Sequence, residues 1–302
     1  MRNFLPLASV AIGLLFSAPA AAQAPRLEGE AGGARLLRLA LDDFRSAKKP
    51  AFWSVIDVDS ASSALAKLCR GEIAGGAVGR SMTAAESSAC EKAKVSHIDL
   101  PLAIDAVVVV VNPRNTWAKE ISASQLRRAW ADDRTRPRSW SEIDADWPAA
   151  ALKLYGPTIK LALAEKYAAA LGFPDSTALR RDVSTTEVLS LVADAVARDR
   201  NALGVLDWGT YSANRQRVRA VPVAFDGERV QSVKGAPKPP AEGPLSYPLR
   251  LYLNATAVRE PAIKEFLLHL FANAERLSAA AGVRALPASD YQQAAARIKG
   301  MP

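Results

Sequence analysis

A run of five valines at positions 107–111 restricts the fold of this chain more than any other segment. β-Branched residues favour strands, and a strand that is apolar at every position lies buried on both faces, as in the middle of a parallel or mixed α/β sheet. Five residues are too few to span a bilayer. Asn112-Pro113 ends the strand, because proline cannot donate to a sheet ladder. A second apolar strand at 248–254 also ends in asparagine.

The segment between these two strands contains a complete α/β unit of its own. The arrangement predicts an α/β protein with two lobes, mixed sheets and two strands crossing between the lobes. Lobe 1 is predicted to comprise residues 23–113 and 246–302, and lobe 2 residues 114–245. Capping-box spacing, a hydroxyl followed three residues later by Gln or Glu, predicts helix starts after Ser122 and Ser184.

The N-terminus has the pattern of a secretory signal. Arg2 supplies the positive charge, residues 4–16 are apolar, and three alanines before Gln23 form a small-residue cleavage site. A signal peptide at 1–22 predicts an exported protein. In an oxidising compartment the two cysteines, Cys69 and Cys90, favour a disulfide.

The composition excludes several kinds of function. The formal net charge of +8 favours anionic ligands or a solvated basic surface, and export argues against nucleic acid as a partner. With His97 and His269 as the only histidines and no cysteine–histidine cluster, neither a metal nor another cofactor is expected. The sequence also lacks a nucleophile elbow, a P-loop and a dinucleotide fingerprint, so an enzyme is the weakest hypothesis.

An ordered set of short segments resembles a known family. The segments are Cys69-Arg-Gly-Glu-Ile, Gly79-Arg80-Ser81-Met82-Thr83, Ile104-Asp105 with the valine strand, Ser139-Trp140, Leu154-Tyr155-Gly156-Pro157, Leu203-Gly204 and Tyr247-Pro248-Leu249. In order and extent they resemble the phosphate-binding proteins of bacterial phosphate ABC transporters, which have the type II periplasmic binding-protein fold. The resemblance implies two lobes that close on an anion held by N–H groups and hydroxyls at helix starts, which suits the physics of helix ends. It implies a monomer that works with an inner-membrane ABC permease.

The anion site departs from the family pattern at three places. Glu30 stands where the first helix would carry hydroxyls, the family aspartate aligns with Ala74, and the second-lobe Ser-Gly-Thr aligns with residues 161–163, which are apolar. A carboxylate is an unfavourable neighbour for an oxyanion. The resemblance therefore predicts an altered anion site.

The remaining polar side chains near helix starts form the predicted ligand set, which is Ser60, Ser62, Ser63, Arg80, Ser81, Thr158 and Lys160. Arg80 would make a charge-assisted contact to the anion. In the structural interpretation, Ser60 is a helix cap, Arg80 a salt-bridge partner and Lys160 a solvated side chain. Asp105 is predicted to fix the hinge through hydrogen bonds.

The sequence and the resemblance lead to two hypotheses for the function. The first is a periplasmic solute-binding protein that takes phosphate or another small anion. The alternative is a degenerate binding-protein-like domain that acts as a periplasmic interaction or sensing module.

Overall fold

The computed structural model describes residues 26–47, 53–57, 60–225, 229–231 and 238–301. The predicted signal peptide at 1–22 lies outside the described residues. The strands are β1 Arg26–Gly29, β2 Ser54–Asp57, β3 Gly75–Val78, β4 His97–Val111, β5 Ile121–Ser122, β6 Lys153–Pro157, β7 Ser184–Thr186, β8 Ala202–Asp207, β9 Arg219–Ala220, β10 Val223–Phe225, β11 Arg229–Gln231 and β12 Ser246–Asn254. The helices are α1 Ala31–Ser46, α2 Ala61–Cys69, α3 Ala84–Lys92, α4 Ala123–Trp130, α5 Ala162–Ala170, α6 Leu189–Arg198, α7 Trp208–Asn214, α8 Pro261–Ala272, α9 Ala274–Ala281 and α10 Ala288–Lys299.

One mixed sheet runs through the molecule in the order β2-β1-β3-β12-β4-β8-β6-β7, and β9 also pairs with β4. Strand β4 joins its two halves. The first part of β4 pairs antiparallel with β12, and its five valines pair antiparallel with β8. Every one of these valines is at most 1% exposed, as expected for a strand covered on both faces. The prediction of a mixed α/β fold is confirmed.

Two large apolar cores divide the chain. One gathers side chains from Leu27 to Ala103 and from Leu249 to Ile298; the other gathers side chains from Ala106 to Leu245. The five valines belong to the second core, whereas we predicted them at the end of lobe 1. The valines join the second core because they pair with β8 and pack in the same apolar cluster as the side chains of α6. We therefore place the lobe boundary near Asp105 on β4 and near Tyr247 on β12, residues that face each other in register.

Of the two helix starts predicted from capping boxes, one is confirmed and the other is wrong. Ser122 caps α4 through a complete capping box with Gln125, as the spacing predicts. The box predicted at Ser184 is absent, because residues 184–186 form β7 and pair with β6. Helix α6 begins after Val188 instead, without a side-chain cap.

The two cysteines are joined as predicted. The Cys69–Cys90 disulfide links the last residue of α2 to α3. Cys90 is the buried residue of α3, so the bond fixes the side of that helix that packs on α2.

Candidate ligand-binding cleft

A cavity of about 620 Å³ lies between the two cores, and the starts of four helices open onto it. Lobe 1 contributes α1 and part of β12, and lobe 2 contributes α5, α6 and α7. The lining comprises Glu30, Ala31, Gly32, Arg35, Arg38, Leu161, Ala162, Leu163, Glu187, Val188, Leu189, Ser190, Asp207, Thr210, Tyr247 and Leu249. Pockets between two lobes are common sites for small ligands.

Three of these helices begin without a side-chain cap. Their N-cap residues are Glu30 for α1, Leu161 for α5 and Val188 for α6. First-turn N–H groups have no partner within a helix, and the helix start carries a partial positive charge. Three sets of backbone donors that no side chain caps therefore line one cavity.

Glu30 is the buried acid of the cavity. It follows β1 and is 6% exposed. Its Oε2 accepts a hydrogen bond of 2.5 Å from the N–H of Gly79, which follows β3. Its Oε1 is buried and has no hydrogen-bond partner in the described part of the chain. Burial raises the pKa of Glu30 to about 7, against the opposing effects of the Gly79 N–H, the Lys166 ammonium and, more weakly, the Ala61 N–H at the start of α2. Near neutral pH this carboxyl therefore exists in both protonation states.

A second group of buried polar side chains lies where β4 and β12 cross between the lobes. Arg35 Nη2 lies 3.3 Å from Asp207 Oδ2, which joins α1 of lobe 1 to the end of β8 in lobe 2. Asp105 is fully buried; its Oδ1 accepts from the Ala106 N–H at 2.8 Å. Burial and then repulsion by Asp207 raise the pKa of Asp105. The predicted role of Asp105 at the hinge agrees with this position.

Gly32 makes this arrangement possible. A Cβ atom at Gly32 would lie 2.3 Å from Asp105 Oδ2 and would collide with it. The absence of a side chain lets the first turn of α1 approach the crossing strand. The close approach lets the first turn of α1, which lines the cavity, pack directly against the buried Asp105 carboxyl behind it.

Comparison with known proteins assigns the chain to a family. The family model of the PBP superfamily domain matches residues 18–273, which is most of the chain. The chain belongs to this family.

Named relatives agree with that assignment. The chain is 26% identical to Protein SphX of Synechocystis over 96% of its own length and 87% of that protein. It is 20% identical to the phosphate-binding protein PstS of Staphylococcus haemolyticus, over 68% of this chain and 64% of that one. The crystal structure of a possible phosphate binding protein from Planctomyces limnophilus superposes with a TM-score of 0.69, at 20% identity, over 91% of this chain and 97% of that chain. At this identity the likeness establishes the two-lobed α/β fold.

The predicted ligand set lies apart from the cavity lining. Arg80 pairs with Glu86 at 2.7 Å and donates to Ser62 Oγ at 2.7 Å, so its charge is already compensated. Ser60 caps α2 by accepting from the Ser63 N–H. The structural interpretation of Ser60 is therefore confirmed, and Arg80 is a salt-bridge partner within lobe 1.

The other predicted ligands have similar outcomes. Ser81 and Lys160 are exposed, and Thr158 is half-buried with its Oγ1 enclosed. Among the described residues, none of the seven predicted side chains belongs to the cavity lining. Sequence reasoning placed the ligand at hydroxyls, whereas the structure brings backbone helix starts to the cavity.

Two alignments with the family can also be compared with the structure. Residues 161–163 do lie at the cleft, at the start of α5. Ala74 does not; it precedes β3 and pairs with Arg26 and Asn254 at the far end of the sheet. The residue at the cleft end of this segment is Gly79, which follows β3 and donates to Glu30.

Sequence reasoning missed Arg35, Arg38, Ser190 and Thr210 as cavity residues. A signal was available for the arginines, because they follow the start of α1 by one and two turns and share a helix face with Ala31. Within the described residues, no group of three or more acidic, histidine or cysteine side chains could hold a metal ion.

Proposed function

We propose that this chain is a solute-binding protein that holds phosphate or another small oxyanion between its lobes. The convergence of three uncapped helix starts on one interlobe cavity supports this function most directly. Helix starts favour oxyanions because their N–H groups and partial positive charge point at the ligand. The relatives whose names describe phosphate binding support the choice of ligand.

The charged side chains of the cavity are compatible with an anion. Asp207 is paired with Arg35, so its negative charge is compensated within the site. Arg38 adds a second guanidinium to the lining. Glu30 can be neutral near pH 7 because of its burial. Glu187 adds an exposed carboxylate to the same lining, which offsets the charge of Arg38. The partial positive charges of the helix starts therefore set the sign of the local potential.

We further propose that the protein acts in the periplasm as a monomer and delivers its solute to an inner-membrane ABC permease, without catalysis. The N-terminal pattern of charge, apolar segment and small residues supports export. The Cys69–Cys90 disulfide fits an oxidising compartment. In the described ranges, no helix combines the length and apolarity needed to cross a membrane.

A carboxylate placed at the start of α6 should test the anion site without weakening the fold. Ser190 is the second residue of α6, is exposed and lines the cavity. In Ser190→Asp, a negative charge at a helix start stabilises the helix. The same charge repels an anion in the cavity, so calorimetric titration should show phosphate binding at least about tenfold weaker than in the wild type.

The matched control is Ser190→Asn, which has the same shape without the charge. It should bind phosphate within a few-fold of the wild type and unfold near the wild-type temperature, whereas Ser190→Asp should unfold at that temperature or above it. Equal phosphate affinity in the aspartate and asparagine variants would exclude α6 from the anion site.

The interaction-module alternative has one supporting observation. Val188 and Leu191, at the start of α6, are 55% and 54% exposed, which leaves apolar side chains beside the cavity. A partner protein could cover them. If folded wild-type protein binds neither phosphate, sulfate nor small organic anions in calorimetry, this alternative replaces the transport function.

A further inference from the structure

Glu30 combines features that point to a specific role in ligand binding. Glu30 belongs to the cavity lining, one of its carboxyl oxygens is held by the Gly79 N–H, and the other is buried with no hydrogen-bond partner among the described residues. The N–H of Ala61, at the start of α2, is near enough to lower the pKa of the carboxyl. An unpartnered buried oxygen is costly unless something else satisfies it. A carboxylic acid can both accept at one oxygen and donate at the other.

We propose that Glu30 contacts the bound oxyanion as a neutral carboxylic acid, whose Oε1–H donates a hydrogen bond to a ligand oxygen, and that loss of this proton weakens anion binding. The inference rests on the proposed function. It names the group that makes oxyanion binding by this cleft depend on pH.

The geometry favours Oε1 as the proton carrier. Oε2 accepts from Gly79, and an oxygen that accepts a backbone N–H is the poorer place for the proton. Oε1 is then left as the donor. In the ionised form the same oxygen would present a negative charge to the ligand, which the Lys166 ammonium and the Ala61 N–H at the start of α2 offset only in part. The protonation state of Glu30 therefore determines whether Oε1 donates a hydrogen bond to the anion or repels it.

The charged and titratable groups around Glu30 come from three other elements. Lys166 and Glu165 of α5 act on it in opposite directions, and Arg80 follows β3. The Tyr247 side chain of β12 packs beside Oε2 at Gly79. Burial outweighs these effects and raises the pKa of Glu30 to about 7. The switch is therefore expected between pH 6 and 8.

The test compares wild-type protein with Glu30→Gln. The carboxamide has the shape of a carboxylic acid, keeps one acceptor and one donor group, and does not titrate. Phosphate affinity is measured by calorimetry at pH 5.5 and 8.5 for both proteins. The ratio of the two dissociation constants at each pH cancels the titration of phosphate itself.

If binding requires the protonated acid, the ratio of wild-type to variant dissociation constants should rise by about 30-fold from pH 5.5 to 8.5, as expected for a group with a pKa near 7. Glu91→Gln, which neutralises an exposed glutamate of α3 outside the cavity lining, should follow the wild type at both pH values. Wild-type titration with sulfate, which stays doubly charged over this range, gives an independent measurement and should weaken in the same way.

The outcomes separate the two proposals. Phosphate binding with a pH-independent ratio between wild type and Glu30→Gln would overturn the role of Glu30 and leave the proposed function intact. No phosphate or sulfate binding by either folded protein at either pH would overturn the proposed function, and the role of Glu30 with it.

Discussion

Glu30→Gln is expected to increase the free energy of unfolding at pH 8 by about 3 kcal/mol. Burial raises the pKa of Glu30 from 4.5 to about 7, and each pKa unit corresponds to about 1.4 kcal/mol. Above pH 7 the wild-type protein must keep this carboxylate charged and buried. Glutamine removes that cost and retains the acceptor for the Gly79 N–H.

The difference in unfolding free energy between the wild type and Glu30→Gln should depend on pH in a definite direction. Between pH 4.5 and 7 the folded state holds a proton on Glu30 that the unfolded state has lost. The unfolding free energy of the wild type should therefore fall as pH rises through this window. Glu30→Gln should fall less steeply, and the two proteins should approach each other near pH 4.5. Urea denaturation at half-unit pH steps measures both curves.

Glu86 provides a control of opposite sign. The Arg80 guanidinium lowers the pKa of Glu86 to about 2, so its ionised form stabilises the folded state above pH 4.5 and this contribution is lost toward pH 2. Glu86→Gln should therefore be less stable than the wild type at pH 8. If Glu30→Gln is also destabilised at pH 8, the Glu30 carboxylate is not penalised by burial.

The sequence predicts a helix or strand correctly where the residues of that element alone determine its structure. Five adjacent valines predict a strand covered on both faces, and the structure shows one. They could not reveal which core the strand joins, because that depends on pairing with β8, almost a hundred residues later. Ser184 shows the same limit, since pairing of β7 with β6 replaces its capping box.

The sequence predicts the type of group that would bind an anion, but not which residues surround it. Helix starts as the anion donors follow from general physics, and the structure gathers three of them. The carboxylate at Glu30 was visible in the sequence. Its burial was not, because Gly79 and Tyr247 reach it from β3 and β12. Sequence spacing also does not show which end of a short strand faces the cleft, and Ala74 lies at the end of β3 that pairs with Arg26 and Asn254.

Removal of the Cys69–Cys90 disulfide is expected to cost about 3 kcal/mol of unfolding free energy. The bond closes a loop with a sequence separation of 21 residues, and the chain-entropy estimate for such a loop is about 3 kcal/mol. The double variant Cys69→Ala, Cys90→Ala should show this loss in urea denaturation. Dithiothreitol should produce a similar loss in the wild type and none in the double variant.

The loss should be concentrated at α3. Cys90 is the buried residue of that helix, so without the bond α3 keeps the Arg80–Glu86 ion pair and its packing along α2 as contacts with the lobe. Exchange of α3 amides should therefore accelerate far more than exchange in β4, which is covered on both faces. Equal acceleration in both would mean that the disulfide stabilises lobe 1 as a whole and α3 is held by packing.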